Sequence, residues 1–142
     1  MNFVLVITSG PYGDSRLKLA LDLSVSILNA GHHLKIFLYS DGVYNALKTI
    51  SPASDEFNPQ SIFSELARRS KIYFCESAGL RRGVDKSCTS KDFTCSGLGE
   101  LSFNSFTYFT NKNSRGISRL SLNYTSISIP GTPSLFASSS CS

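Results

Sequence analysis

An α/β domain on a mostly parallel sheet is the fold class this chain predicts, and three observations predict it. Short apolar runs of strand length recur at residues 2–8, 34–39 and 71–75. Segments with a helical apolar period lie between them. Loops rich in Gly, Pro, Ser and Asp separate the two kinds of segment. Strands that alternate with helices are joined by crossovers, which set the strands in parallel and the helices on the sheet faces.

The elements follow in chain order. Residues 2–8 form an apolar run and a first strand. Gly10-Pro11-Tyr12-Gly13 is a loop of turn formers, after which Asp14 or Ser15 caps a helix. Leu17, Leu21, Ser24/Val25 and Leu28 mark its inner face, with Ala20 and Ile27 beside it, and Gly31 suits its C-terminal cap. His32 and His33 lead into a second strand, Leu34 to Tyr39. Ser40-Asp41-Gly42 turns the chain, and residues 43–47 read as a short helix. A loop bracketed by Pro52 and Pro59 precedes a helix of roughly 60–69, with Ile62, Phe63 and Leu66 inward. Lys71 to Cys75 is a third strand. Beyond it come an unassigned stretch at 79–84, a polar segment at 85–92, the start of another helix at 93–101, and a last strand at 105–109. This is a flavodoxin-like three-layer sandwich in outline, over residues 1–110. The remainder, 111–142, is a serine-rich tail with Pro130 and Pro133; residues 120–129 alternate as an edge strand would, and the composition equally permits a disordered extension.

Composition narrows the function classes. The 142 residues suffice for a core without metal or disulfide. No apolar stretch is long enough to span a bilayer, and the opening lacks the basic region and length of a signal peptide, so a cytoplasmic protein is expected. The net charge of +4 is unevenly placed. Residues 1–110 hold eleven basic and ten acidic side chains, while Lys112, Arg115 and Arg119 stand in a tail without acids. A nearly neutral body lacks the basic stripe of a nucleic-acid-binding face. Cys75, Cys88, Cys95 and Cys141 form no Cys-x-x-Cys pair, and the only histidines are adjacent, so neither a zinc site nor a disulfide framework is indicated.

Candidate chemistry is sparse. The Gly10–Gly13 loop resembles the strand–turn–helix of an anion site, but no Gly-x-Gly-x-x-Gly or Gly-Lys-Ser/Thr accompanies it, and a plain turn explains it. The carboxylate pairs Asp55-Glu56 and Asp14/Asp22 have no partner that would identify acid–base work. Cys75 ends a strand, where ligands of open α/β sheets collect. Arg81 and Arg82 follow closely, and cations beside a thiol favour its thiolate, whereas Glu76 opposes this if it faces the sulfur. The same residues also describe a core thiol with a pair of surface or interface arginines.

A set of motifs weighs between these readings. Gly42-Val43-Tyr44-Asn45-Ala46, Ser51-Pro52-Ala53-Ser54-Asp55-Glu56-Phe57, Leu80-Arg81-Arg82-Gly83-Val84 and Ser96-Gly97-Leu98-Gly99 occur here in that order. Together with Phe3–Thr8, Tyr12-Gly13 and Ala30-Gly31-His32, they resemble the DsrE-like family of sulfur-relay proteins over about residues 1–110. The resemblance implies a sulfurtransferase that carries sulfur as a persulfide on the cysteine before the Leu-Arg-Arg-Gly segment, here Cys75, without cofactor or metal. It implies Arg81 and Arg82 as thiolate-supporting or interface residues. It implies a hetero-oligomer with TusB-like and TusC-like sister subunits, a TusA-like sulfur donor and a TusE-like acceptor. The sulfur's destination would be 2-thiouridine at the tRNA wobble position or, in relatives, dissimilatory sulfur metabolism. A noncatalytic subunit and a nucleotide binder using the Gly10–Gly13 loop are the rival classes. Three features depart from the family: the short polar segment after Val84, Cys95 at an apolar position and so read as core, and the tail. Cys88 has no counterpart.

Overall fold

The computed structural model describes residues 1–13, 15–99 and 107–110, the last four as backbone. Its sheet has five strands in the order β4-β3-β2-β1-β5, each neighbouring pair parallel. These are β1 (Asn2–Ile7), β2 (His33–Leu38), β3 (Lys71–Cys75), β4 (Phe93–Ser96) and β5 (Thr107–Thr110). The helices are α1 (Arg16–Asn29), a 3-10 helix at Ser40–Ala46, α2 (Pro59–Ala67) and α3 (Glu76–Leu80). The chain steps outward from β1 to β4 and returns to the other side of β1 with β5, as an open α/β sheet does. The α/β prediction thus holds.

Both faces of the sheet are buried along β1, β2 and β3, which is why these strands read as continuous apolar runs rather than alternating ones. On one face Leu5, Ile7, Ile36, Leu38, Ile72 and Phe74 pack against α1 and α2. On the other, Val4, Val6, Phe37, Tyr73 and Cys75 meet Val43 of the 3-10 helix, Ala78 of α3, and Val84. Each large side chain that is fully enclosed, such as Phe37, Phe63 or Leu21, contributes roughly 1.5–3 kcal/mol relative to exposure.

Helix ends follow local chemistry. Asn58 caps α2 by accepting from the N–H groups of Gln60 and Ser61 at 3.0 and 3.3 Å, and Pro59 takes the first helical position, where no N–H is needed. Gly31, at φ +78°, closes α1: its N–H reaches Leu28 O and that of His32 reaches Ile27 O, the bonds of a Schellman turn. Within α1, the buried Ser24 returns its hydroxyl proton to Ala20 O at 2.7 Å.

Several expectations are corrected. Residues 93–96 are a strand, not the start of a helix; Gly97 and Gly99 weaken a helix there, and pairing with β3 decides the conformation. Directly after Cys75 comes α3, whose end overlaps the unassigned stretch at 79–84 and whose five residues are too few to show a period. His33 belongs to β2, opposite Asn2. Residues 43–47 lie mostly within the 3-10 helix. Ser15 occupies the cap position of α1 without a capping bond from its side chain, and Asp14 lies outside the described residues. So do Ser105 and Phe106 of the expected last strand, the tail 111–142 and Cys141. The short polar segment is held in place: Lys48 N donates to Cys88 O and Ser90 N to Ala46 O, at 3.0 and 2.9 Å. Among the described residues, no helix is long and apolar enough to cross a membrane.

Candidate functional site around Cys75

Cys75 is the last residue of β3 and sits at the N-terminal boundary of α3, still in extended conformation at φ −72° and ψ 119°. Alternation along β3 sends Tyr73 and Cys75 to the face under α3 and the 3-10 helix, and Ile72 and Phe74 to the α2 face. The thiol is free but only 3% exposed, enclosed with Val43, Ala78 and Val84. No hydrogen bond joins it to another described residue. In this conformation α3 and the 3-10 helix roof it.

Two glycines bring that roof down. A Cβ on Gly42 would lie 2.1 Å from Ile7 O, so the 3-10 helix rests directly on the backbone ending β1. A Cβ on Gly79 would lie 2.6 Å from Val84 O, so α3 and the chain that follows it are in backbone contact. Gly83, at φ +70°, makes the return: Gly83 N–H reaches Leu80 O, and Val84 N–H reaches Gly79 O at 2.9 Å. Asn45 fastens the other side. It is fully buried, and its Nδ2 donates to Ser9 O and Gly42 O, each at 2.9 Å.

The two arginines part company. Arg81 is exposed at the end of α3. Arg82 turns back across the roof: Nε donates to Asp41 Oδ1 at 2.9 Å, Nη2 to Ser40 Oγ at 3.1 Å and Nη1 to Ala78 O at 3.2 Å. Its bonds therefore join α3 to the 3-10 helix, and neither guanidinium bonds the thiol. Glu76 lines a cavity of about 230 Å³ with Phe74, Leu80, Val84, Asp85, Lys86, Ser87 and Cys95, outside which Cys75 lies. Ser40 and Asp41 were readable only as turn formers; nothing local announces a bond across 41 residues.

The remaining thiols lie elsewhere. Cys95 is opposite Phe74 in the β3–β4 register and packs partly against the α2-side core, in keeping with its reading as core. Cys88 is half-buried at the margin of the Cys75 cluster, with its thiol donating to Asp85 O at 3.2 Å. Asp85 is held below the usual carboxylate range, first by the Ser87 hydroxyl and then by the Cys88 thiol and the backbone N–H groups of Ser87 and Cys88. The Gly10–Gly13 loop borders a wider cavity of about 620 Å³, with Thr8, Ser9, Arg16, Asp41, Tyr44, Leu47 and Ile50.

Comparison with known proteins gives a consistent set. The DsrE/DsrF-like family model matches residues 1–103. A sulfurtransferase TusD of Enterobacter sp. (strain 638) is 36% identical over 115 residues, covering 71% of this chain and 90% of that protein. The sulfurtransferase TusD of Salmonella typhi is 34% identical over 121 residues, covering 75% and 94%. Among solved structures, the ychN protein from E. coli superposes with a TM-score of 0.69 at 23% identity, covering 77% of this chain and 97% of its own. A protein of unknown function from Methanobacterium thermoautotrophicum does so at 0.57 and 21%, covering 77% and 99%. These two share the fold.

Proposed function

The chain belongs to the DsrE/DsrF-like family, and we propose that it is a sulfurtransferase of a sulfur relay, accepting sulfane sulfur on Cys75. The observation that carries this reading is the place of Cys75 at the carboxyl end of a parallel strand, from which α3 leads into the Leu80-Arg81-Arg82-Gly83 turn. The likeness to curated sulfurtransferases over most of their length supports it.

The chemistry is exchange at sulfur. The Cys75 thiolate attacks the terminal sulfur of a donor persulfide. A new S–S bond forms on Cys75, the donor's S–S bond breaks, and the donor leaves as a thiolate. The product is Cys75–S–SH, with its proton taken from the donor's terminal S–H. An acceptor thiolate then attacks the same terminal sulfur and restores the Cys75 thiolate. Electrons balance in both steps, so neither oxidant nor cofactor enters. In this reading a TusA-like protein loads the site, a TusE-like protein unloads it, and TusB-like and TusC-like subunits complete the assembly. The sulfur goes on to 2-thiouridine at the tRNA wobble position. Cytoplasmic residence belongs to the same proposal.

Burial of Cys75 favours a second reading, a subunit that packs in the assembly without carrying sulfur. The experiment is to load each variant from a persulfide donor and follow transfer to an acceptor thiol. Loss in Cys75→Ser, with Cys88→Ser and Cys95→Ser active, supports the carrier; transfer that persists in Cys75→Ser leaves the noncatalytic subunit.

A further inference from the structure

A thiol that exchanges sulfur must meet another protein's sulfur, yet Cys75 is 3% exposed. The two halves of the roof over it are held by different contacts. The 3-10 helix is anchored from within by Asn45 and by the close approach of Gly42 to Ile7 O. α3 has only five residues, and the last of them, Leu80, is 64% exposed. Apart from the apolar packing of Val43 and Ala78, what ties α3 to the anchored 3-10 helix among the described residues is Arg82, which bonds Ala78 O on one side and Asp41 and Ser40 on the other. Asp41 is the outer member of the pair, its side chain 65% exposed against 25% for Arg82. Ser40 meets the guanidinium from a left-handed backbone, φ +53°, a conformation that L residues adopt at a cost.

We propose that Arg82 and Asp41, with Ser40, form a latch that sets the access of Cys75: closed, it holds α3 over the thiol, and released, it lets α3 lift. The proposal rests on Cys75 as the sulfur carrier only for its purpose; the latch itself concerns accessibility. Arg82 and Asp41 are positioning residues, acting through α3. Because Asp41 is exposed, salt weakens the latch.

The test is the rate at which a maleimide modifies Cys75 in the native full chain, read by peptide mass, with urea unfolding run in parallel. Asp41→Asn and Arg82→Ala should each raise the rate by about fivefold, the opening expected from losing a partly exposed charged bond, while global stability falls by too little to account for it. Arg82→Lys should restore part of the protection. Added salt should speed wild-type modification and leave Asp41→Asn unaffected. Unchanged rates in both variants overturn the latch, as do rates that rise only in step with lost global stability, or a wild-type Cys75 that reacts as fast as in urea. Sulfur loading is scored separately. A Cys75 that never loads sulfur but follows Asp41 in reactivity removes the functional reading and keeps the latch; loading with no effect of Asp41 does the reverse.

Discussion

Truncating Asn45 should loosen the roof over Cys75 from its anchored side, and the structure sets the size of the effect. Both Nδ2 bonds, to Ser9 O and Gly42 O, lie in a fully buried site. Asn45→Ala leaves two main-chain carbonyls short of a donor. Each loss costs about 1–2 kcal/mol. Removing Oδ1, itself buried without a partner, offsets about 1 kcal/mol. The expected destabilisation is about 1–3 kcal/mol, a sizeable share of the margin of a single domain. Asn45→Asp should be worse at neutral pH. It sets a carboxylate oxygen where an N–H₂ now faces two carbonyls, and a buried anion without a partner is costly. Burial raises that carboxyl's folded pKa above its unfolded value of about 3.9. The added penalty is therefore absent below about pH 4 and grows as pH rises toward the folded pKa. Urea unfolding at pH 4 and pH 7 measures both effects. An Asn45→Ala variant within about 0.5 kcal/mol of wild type, the range of ordinary surface changes, would refute the reasoning. So would an Asp variant that is insensitive to pH.

Further outcomes follow from the same geometry. Gly42→Ala forces a Cβ to within 2.1 Å of Ile7 O and should cost about 3 kcal/mol or more, read as a drop in thermal midpoint; a neutral substitution contradicts that contact. Cys75 and Cys95 project from opposite faces of adjacent strands, so mild oxidation should give no disulfide between them, and finding that pair by peptide mapping contradicts the register. Asp85 should titrate below the usual carboxylate range by carbon NMR, with the Ser87 and Cys88 amide shifts sharing its midpoint. Because this folded pKa is depressed, the turn's contribution is present above the unfolded pKa and lost as pH falls through the folded one; a midpoint at or above that of an unfolded Asp contradicts the assigned bonds.

The sheet was legible where burial on both faces makes apolar runs, as in β1, which ends one residue before the expected 2–8, and in β3, where 71–75 matched residue for residue. It was illegible at β4. Phe93-Thr94-Cys95-Ser96 carries too short a pattern to separate strand from helix, and its partner strand lies 21 residues earlier in register. α3 escaped notice for the same reason. Cys75 could be placed at a strand end by its neighbours, but not its burial, because Val43 and Val84 reach it from other elements. The motif residues Gly42, Asn45 and Gly83 shape the roof, which no local spacing reveals. Arg82 was singled out for its charge; its partner Asp41 was hidden by sequence distance.

The central claim is that sulfur resides on Cys75, and its location can be read directly. The wild-type chain is loaded from a persulfide donor, excess donor is removed, and persulfides are trapped by alkylation before proteolysis. The account predicts one additional sulfur on the peptide containing Cys75 and none on those containing Cys88 or Cys95. An additional sulfur on either of those peptides, with Cys75 recovered as an unmodified thiol, would contradict it.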